Sequence, residues 1–538
     1  MRVEGARHSA TPVTDSWPAQ EPRRAPHGMI ASVNPLASAA GLRVLRAGGN
    51  ALDAAVAAGA VLTVVEPWSG QLGGDAFLLI ASAERKTVTA INGSGAAPLA
   101  ATVDRYLAEG RIPESGWLAA TVPGLVDAWR TALERHGTMS LGTLLEDAIH
   151  YAERGFPLTA RQARNNREMA AVAAPFRETR AIFFPDGHPP PAGAVLRQPD
   201  LARTLRTLQA EGPSAFYRGG IADAIVAASD RAGGLFSQRD FAEHRTEILE
   251  PIGTTYRGWT VLEQPPVSQG LILLIALNIL ESAGVPSDPV DRVHFQVEAH
   301  KLALRERLSR VGDPRVSPTD LGPLLSKAHA ASLAGRIDQR RALPLQPEPA
   351  GHPDTTYLCV VDEARNVVSY IHSLYAGNGV VAGDTGILLN NRMGCFSLEE
   401  GSPNRLAPGK RPIHTLNSWM LLRDGRPHIV GGTPGSFWQV QTNLQLVSNI
   451  ADREMPPQAA VDAPRWRMGS QTSWTDASLE LEGRFSEAIA ESLRKRGHQV
   501  GLIGDWEAGG AAQVIELDGT MLVGAGDPRP GTSTVIGY

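Results

Sequence analysis

The segment Ala51–Val65 constrains the possible folds of this chain more than any other feature of the sequence. Its sequence, ALDAAVAAGAVLTVV, is alanine-rich and apolar around almost the whole circumference of a helix. A surface helix of a globular protein carries one apolar stripe, so a helix that is apolar all round has to be buried. Asn50 before it is a typical helix cap, and Pro67 follows its end. We therefore expect a layered core with this helix inside it.

Size and charge exclude several classes of protein. A chain of 538 residues is too long for one ordinary core. Its net charge of −5 provides no basic surface for nucleic acid and no polybasic membrane patch. Apolar runs such as GLILLIALNIL, from Gly270, are too short to span a membrane. We expect neither a nucleic-acid nor a membrane partner.

The N-terminus is polar and rich in proline. Residues 1–28 contain no apolar segment of the secretory type, so the sequence predicts a flexible arm and a cytoplasmic protein, with regular structure from Met29 onward. The two cysteines, Cys359 and Cys395, lie in apolar stretches and are interpreted as buried free thiols of a reducing compartment.

The sequence contains no metal-binding motif that we recognise. His294 and His300 are six residues apart on a predicted helix, a spacing that does not place them on one face. Neither HExxH nor CxxC occurs. We predict no metal and no cofactor.

Regular elements follow from apolar periodicity and from helix-ending residues. A glycine-rich turn enters a predicted strand at Ala76–Ile80; it lacks the lysine of a phosphate-binding loop and precedes a strand instead of a helix. The predicted helices, besides the buried one, are Pro35–Ala47, Val122–His136, Leu141–Arg154, Leu201–Glu211 and Arg292–Arg307.

The pattern changes abruptly at residue 355. Residues 339–354 read QRRALPLQPEPAGHPD, an aperiodic, proline-rich stretch that we expect to be an exposed linker. Two β patterns follow, TTYLCVVD and NVVSYIHSL, around a polar DEARN turn. An antiparallel hairpin centred on Ala364 pairs Thr355 with Ser373, whereas a bulge would turn Ser373 to the other face.

A threonine at the start of a strand, directly after a loop that can be cut, suggests a particular chemistry. Once Thr355 is an N-terminus, its own α-amine, with a pKa of about 7.7–8, can take the proton from its hydroxyl. The same hydroxyl can make the cut by attacking the Asp354 carbonyl. The alternative is purely structural, because threonine pairs are common in strands.

Several ordered blocks resemble the γ-glutamyltransferase family of N-terminal-nucleophile hydrolases. They are LASAAGLRVLRAGGNALDAAVAA, RQPDLARTL, PPVSQG, DTTYLCVVDEARNVVS, GNGVVAGDTGILLNNRMGCFS, PNRLAPGKRPIHTL, GGTPGSFWQVQTNLQLVSNI and the terminal DPR…VIGY, within residues 29–538. The resemblance implies an α/β fold of four layers, an αββα sandwich. It also implies a precursor cut between Asp354 and Thr355 into a large subunit, 29–354, and a small subunit, 355–538.

The resemblance also assigns catalytic roles. Thr355 matches the nucleophile, and Ser373 matches a second hydroxyl beside it, where the family usually has threonine. Gly435 and Ser436 match a glycine pair whose backbone N–H groups form the oxyanion hole. Serine keeps the N–H but would be strained where only glycine dihedrals fit. Without the resemblance, TPGS would be an ordinary turn.

The matched substrate pocket departs from the family. Ser94 stands in place of an arginine that binds the glutamyl carboxylate, and Cys395 in place of an aspartate that binds its amine. His414 and Thr415 replace a serine pair, and Tyr375 replaces an asparagine. Our hypothesis is that Arg392 or His414 binds the carboxylate of a different acyl group, such as a dicarboxylic monoamide. The alternative is that Arg392 is paired structurally on its loop.

The predicted function is therefore an autoprocessing amide hydrolase or acyltransferase that acts on a small-molecule amide and passes the acyl group to water or an amine. A specialised relative of the oxamate-amidohydrolase or glutaryl-acylase type is the alternative within the family. A non-catalytic homologue that binds a ligand or serves as a structural subunit is the alternative outside it. The two subunits of one precursor form the expected unit, with further association left open.

Overall fold

Two stacked antiparallel sheets with helices on their outer faces make up the molecule. The computed structural model describes residues 21–344, 354–469 and 478–538. The strands are β1 Arg23–Ala25, β2 Met29–Ser32, β3 Asp75–Ser82, β4 Thr87–Gly93, β5 Phe156–Pro157, β6 Val195–Leu196, β7 Glu247–Leu249, β8 Ile252–Tyr256, β9 Trp259–Glu263, β10 Asp354–Val361, β11 Val367–Tyr375, β12 Trp419–Arg423, β13 Arg426–Gly432, β14 Trp466–Met468, β15 Ser478–Glu482, β16 Gln499–Ile503, β17 Gln513–Asp518, β18 Met521–Gly526 and β19 Thr534–Gly537.

The helices follow the same order along the chain. They are α1 Pro35–Arg46, α2 Ala51–Val65, α3 Val103–Ala108, α4 Leu125–His136, α5 Leu141–Leu144, α6 Glu146–Arg154, α7 Ala160–Ala173, α8 Arg177–Phe183, α9 Pro199–Glu211, α10 Ser214–Arg218, α11 Gly220–Arg231, α12 Gln238–Ala242, α13 Gly270–Ala283, α14 Pro289–Arg310, α15 Leu321–Leu325, α16 Lys327–Ala334, α17 Trp438–Arg453, α18 Pro457–Asp462 and α19 Glu487–Lys495. Short 3₁₀ turns lie at Trp117–Ala119 and Arg392–Cys395.

Each large sheet has seven strands. Sheet I has the order β19-β2-β10-β11-β3-β4-β7, and sheet II has the order β1-β18-β17-β13-β12-β9-β8. The predicted hairpin β10–β11 lies in the middle of sheet I, where β2 and β3 pair with its outer edges. A strand buried on both faces reads as continuously apolar, which explains the YLCVV and VVSYI runs.

Three apolar clusters confirm the four layers. Leu358 and Val360 of β10 pack with the helices that cover sheet I, around α2. The alternate residues of that strand, such as Cys359, pack with Met420 and Val430 of sheet II. A third cluster joins the other face of sheet II to α13, α14 and α17. The period of two along each strand thus divides its side chains between two cores.

The buried helix α2 begins and ends where the sequence predicts. All of its residues are buried, and Asn50 caps it in a capping box with Asp53. Gly59 permits the close approach of the sheet, because a Cβ there would lie 2.4 Å from Cε1 of Tyr370. The Tyr370 hydroxyl in turn accepts a 2.7 Å hydrogen bond from Nε1 of Trp129.

We expect Gly59→Ala to destabilise the protein although alanine favours helix. Alanine gains about 1 kcal/mol of helix propensity. Overpacking against Tyr370 costs about 1–3 kcal/mol, which outweighs that gain. Thermal unfolding should therefore show a lower Tm for Gly59→Ala. Gly220→Ala, at an exposed helix start where an added Cβ meets nothing within 4 Å, should not lower it. A higher Tm for Gly59→Ala would contradict the packing argument.

Several element boundaries differ from the sequence prediction. Among the described residues, regular structure begins at Arg23 instead of Met29, because β1 pairs with β18 at the edge of sheet II. The predicted helix Leu141–Arg154 divides at Leu145, and the helix expected from Val122 begins at Leu125, after Pro123. Residues 1–20 of the predicted arm lie outside the described residues.

The first part of the predicted linker is described and well anchored. The backbone of Leu343 bonds to Glu298 and Lys301 of α14, and the N–H of Ala342 donates to the carbonyl of Arg496. Residues 345–353 lie outside the described part, so the exposure predicted for them stays a prediction. Among the helices that the structure describes, none is long and apolar enough to cross a bilayer.

Candidate active site

Thr355 and Ser373 meet at the open end of the central hairpin. From Thr356 to Val361 the register is the predicted one, with Thr356 opposite His372. The register shifts between Asp354 and Thr356, so Asp354 pairs with Tyr375. Despite this irregularity, Oγ1 of Thr355 donates a 3.0 Å hydrogen bond to Oγ of Ser373. The predicted contact between the two hydroxyls is confirmed.

Ser373 is held as an acceptor for that hydroxyl. The N–H of Tyr375 donates to Oγ of Ser373 at 2.8 Å. Tyr375 reaches this position with φ of +84°, a value that non-glycine residues seldom adopt. Both hydroxyl residues are almost fully buried, so their hydrogen bonds face little competition from water. The hairpin end therefore fixes the direction of the Thr355 side chain.

The segment Thr433–Ser436 turns from β13 into the start of α17. Gly435 has φ of +132° and Ser436 has φ of +52°. The carbonyl of Gly435 accepts the N–H of Trp438, which begins the helix. The turn thus lies at a helix N-terminus, where the helix dipole favours negative charge. Phe437, the next residue, packs edge-on against Tyr375 with ring centroids 6.5 Å apart, which brings the turn to the hairpin end.

The two N–H groups of this turn are the proposed oxyanion donors. The N–H of Ser436 lies 3.3 Å from the side-chain oxygen of Gln439 once that amide is oriented to satisfy its hydrogen bonds. A contact of this length is beyond the usual N–H···O range of about 2.7–3.2 Å. An oxyanion is a stronger acceptor than an amide oxygen and would compete for this donor.

Ser436 adopts the left-handed conformation that its glycine counterpart in the family would tolerate freely. Its Oγ is buried and has no hydrogen-bond partner in the described part of the chain. We expect Ser436→Gly to stabilise the protein by about 1 kcal/mol by relieving this strain. Because the N–H is retained, amide hydrolysis should stay within about threefold of wild type. Calorimetry and initial rates test this, with Ser436→Ala, which keeps the strain, as control. A large loss of activity in Ser436→Gly would show that the hydroxyl is used.

Arg392 is completely buried beside the hairpin end. Its Nη1 donates to Oγ1 of Thr415 at 3.0 Å, and its guanidinium lies 4.7 Å above the ring of Tyr375. Its Nε is 3.5 Å from Oδ2 of Asp75, an ion pair but too long for a good hydrogen bond. Within the described residues, Nε and Nη2 have no hydrogen-bond partner. Buried donors of this kind are costly unless a ligand accepts from them.

Both ring nitrogens of His414 have protein partners, which makes His414 the weaker of our two candidates for binding a carboxylate. Its Nδ1 accepts the N–H of Leu416, so Nε2 carries the proton and donates to Asp75 at 3.1 Å. Burial, assisted by the charges of Arg392 and Arg307, lowers the pKa of His414 to about 3. Both ring nitrogens are occupied and the ring is neutral. Its position supports Asp75 and leaves Arg392 as the candidate for a carboxylate.

The remaining predicted pocket residues divide into two groups. Tyr375 and Cys395 form an apolar cluster with Ile413 and Phe437. Ser94 is buried at the end of β4, where its Oγ donates to Oδ1 of Asn92 at 2.7 Å. Burial raises the pKa of the Cys395 thiol and of the Cys359 thiol, so both stay protonated. Both cysteines are free and buried, as predicted.

Sequence reasoning missed three buried residues at this site. Asp75 is the register partner of Ser373 on β3 and joins Arg392 to His414. Arg307 of α14 donates to the carbonyl of His414 at 2.9 Å. Gln269 donates to the carbonyl of Ser436 at 2.9 Å. Asp75 follows a Gly-Gly pair at the start of a buried strand, and Gln269 lies in the segment PPVSQG. Neither local sequence pattern indicates which group in the site the residue bonds to.

One group of potential metal ligands occurs among the described residues: His294, Glu298 and His498. His294 bonds to His498 at 2.8 Å and to the carbonyl of Asp338 at 2.8 Å. Lys301 pairs with Glu298 at 2.6 Å. The ligand atoms already have protein partners, and the ammonium would repel a cation. The absence of a metal stays a prediction.

Comparison with known proteins identifies the family over almost the whole chain. The family model described as gamma-glutamyltranspeptidase matches residues 37–536. The glutathione hydrolase-like YwrD proenzyme of Bacillus subtilis (strain 168) is 40% identical over 517 residues, 95% of this chain and 98% of the relative. The oxamate amidohydrolase proenzyme of Klebsiella pneumoniae is 37% identical over 521 residues, 94% and 97% of the two chains.

A solved structure agrees equally well. The crystal structure of cephalosporin acylase from Bacillus halodurans has a TM-score of 0.90 and 36% identity, and the match covers 99% of each chain. The acylase therefore shares both sequence and architecture with this chain, and the two proenzymes share its sequence, although the names of the three describe different substrates.

Proposed function

This chain belongs to the gamma-glutamyltranspeptidase family, and we propose that Thr355 is its nucleophile in the hydrolysis or transfer of an amide-linked acyl group. Its relatives are proenzymes, which implies a precursor that cleaves itself into a large and a small subunit. The observation that carries the assignment to Thr355 is its 3.0 Å hydrogen bond to Ser373 at the open end of the hairpin. Cleavage between Asp354 and Thr355 is part of the same proposal.

The chemistry proceeds in two acyl transfers. After cleavage, the α-amine of Thr355 takes the hydroxyl proton while Oγ1 attacks the amide carbonyl of the substrate. The N–H groups of Gly435 and Ser436 stabilise the resulting oxyanion, and each such donor contributes about 3–4 kcal/mol. The proton passes to the leaving amine as the C–N bond breaks. Water or a second amine then attacks the ester and releases Thr355.

The acyl group itself carries a negative charge in this proposal. The buried guanidinium of Arg392 lies 4.7 Å above the ring of Tyr375, which belongs to the apolar cluster of Tyr375, Cys395, Ile413 and Phe437. Its Nη2 has no hydrogen-bond partner among the described residues, and its Nε has only the long 3.5 Å ion pair with Asp75. An apolar wall that ends in an arginine fits a short acyl chain with a terminal carboxylate. Dicarboxylic monoamides, including glutaryl amides and oxamate, have this form.

Glutathione is a second candidate substrate, favoured by the relatives named as glutathione hydrolases. A γ-glutamyl group also carries an ammonium, and the matched positions offer only Cys395 and Ser94. Neither side chain is charged, and burial keeps the Cys395 thiol protonated. The site therefore favours an acyl group with a carboxylate but without a neighbouring ammonium.

A denaturing gel with mass spectrometry tests the reaction before any substrate is known. The wild-type precursor should give two fragments, residues 1–354 and 355–538. Cleavage at another bond, or an intact wild-type chain, would contradict the proposal and favour a non-catalytic homologue. A panel of γ-glutamyl, glutaryl and oxamyl amides then identifies the acyl group. A cytoplasmic location and further association stay predictions from sequence.

A further inference from the structure

Three carbonyl groups of the turn Thr433–Ser436, those of Pro434, Gly435 and Ser436, accept hydrogen bonds, and this determines where the N–H groups that follow them point. Oγ1 of Thr433 donates to the carbonyl of Pro434 at 2.9 Å. The carbonyl of Gly435 accepts from Trp438, and that of Ser436 accepts from Gln269. A peptide bond is planar, so fixing a carbonyl also fixes the N–H of the next residue. The Thr433 hydroxyl thus sets the direction of the Gly435 N–H.

Thr433 is itself held by a neighbouring segment. Its Oγ1 accepts the N–H of Ala511 at 3.0 Å and is completely buried. Gly510 has φ of +80°, and a Cβ on it would lie 2.8 Å from the same oxygen. Glycine is therefore required for the segment to approach so closely. As an acceptor, the Thr433 hydroxyl joins the turn to residues 510 and 511. As a donor, it fixes the plane of the Pro434–Gly435 peptide bond.

A buried ion pair anchors that segment in turn. Arg465 donates to Oδ2 of Asp527 at 2.6 Å and to the carbonyl of Gly509 at 3.3 Å. The N–H of Ala512 donates to the same carboxylate oxygen at 3.0 Å. Arg465 and Asp527 are almost fully buried, and Arg529 contacts the other carboxylate oxygen. The segment that holds Thr433 is therefore rigid on both sides of Gly510.

We propose that Thr433 is a positioning residue for the oxyanion donor at Gly435. Gly435 itself offers little resistance to rotation of the Pro434–Gly435 peptide plane, because glycine tolerates many dihedrals. The Thr433 hydroxyl supplies that resistance and keeps the N–H directed at the developing oxyanion. This proposal rests on the proposed function, since it needs Thr355 to generate the oxyanion.

Thr433→Val and Thr433→Ser separate this role from packing. Valine has nearly the same shape but makes neither hydrogen bond, whereas serine keeps both. The probe is 4-nitrophenyl acetate, whose acyl group has no carboxylate for Arg392. For cleaved enzyme, we expect kcat to fall about 10–100-fold in Thr433→Val with KM within threefold. Thr433→Ser should keep both constants within about threefold of wild type.

The alternatives give different results. An unchanged kcat in Thr433→Val, or an equal loss in Thr433→Ser, would overturn the inference. If Thr433→Val does not fold or cleave, Thr433→Cys replaces it, because cysteine is of similar size and forms only weak hydrogen bonds. We expect an intermediate kcat for Thr433→Cys, and a wild-type kcat in that variant would also overturn the inference. Thr355→Ala serves as background. Ester hydrolysis at the wild-type rate in Thr355→Ala would refute the proposed function, whereas an inactive Thr355→Ala with unchanged Thr433→Val would refute only the role of Thr433.

Discussion

Thr355→Ala should remain a single chain of 538 residues and should lose amide hydrolysis by about 10³-fold or more. The substitution removes the hydroxyl that both reactions need, the one that cuts the precursor and the one that accepts the acyl group. Denaturing gels of freshly purified and incubated protein measure the first, and amine release from the substrate panel measures the second. Both losses should occur together, because one oxygen atom serves both steps.

A loss of cleavage and activity in Thr355→Ala could also result from misfolding, so the fold of the variant has to be checked first. Thr355→Ala deletes the hydrogen bond to Ser373, and a bond of this kind contributes about 1 kcal/mol. A chain with two extensive cores should tolerate that loss, so circular dichroism and Tm should stay close to those of wild type. Thr355→Ser is the matched control, because it keeps a hydroxyl and an α-amine, and it should cleave and turn over at a reduced rate.

Two outcomes would contradict the assignment of Thr355. Cleavage of Thr355→Ala at the same bond would place the nucleophile of processing elsewhere. Retained hydrolysis by the uncut Thr355→Ala chain would show that neither the Thr355 hydroxyl nor its α-amine is needed for the reaction. Ser373→Ala is a finer test, because it removes the acceptor of the Thr355 hydroxyl while the nucleophile remains. We expect this variant to cleave its precursor, at the wild-type rate or more slowly, and to hydrolyse amides more slowly than wild type.

The sequence predicted the local parts of this fold well. Periodicity and caps located α2 to the residue, and the turn at Ala364 predicted the hairpin register from Thr356 to Val361. These features depend on contacts within about twenty residues. The family resemblance supplied the four layers, and the apolar clusters on both sheets confirm them.

The parts that the sequence did not predict depend on distant contacts or on local strain. Asp75 meets His414 across 339 positions, and no pattern around either residue indicates that pairing. β1 is three residues long and carries two arginines, so only its pairing with β18 makes it a strand. The register shift at Thr355 lies beside the linker, where periodicity carries no information.

The pocket shows why identity at matched positions is an incomplete guide to substrate. The resemblance matched His414 to a family position that contacts the substrate, yet both of its ring nitrogens are bound within the protein. Arg392, in contrast, is buried and keeps two guanidinium nitrogens, Nε and Nη2, without a hydrogen-bond partner among the described residues. The hydrogen-bond inventory of the folded site, more than the alignment of residue types, therefore identifies the group that a substrate must satisfy.

Arg392 should accordingly determine which acyl groups are accepted. We expect Arg392→Ala to lower kcat/KM for glutaryl-4-nitroanilide by about 100-fold, because a charge-assisted hydrogen bond contributes about 1.5–3 kcal/mol. The methyl ester of the same compound lacks the carboxylate and should change less than about threefold. Arg392→Lys keeps the charge but not the planar fork, so its loss should be intermediate.

Removing Arg392 alone also leaves Asp75 buried beside a neutral His414, which can cost about 3–5 kcal/mol of stability. Arg392→Met combined with Asp75→Asn removes both charges and keeps an acceptor for His414. If the double variant folds with a normal Tm and still loses the preference for acid over ester, Arg392 binds the carboxylate. If it retains that preference, the arginine is a structural partner of Asp75, and the acyl carboxylate is bound elsewhere.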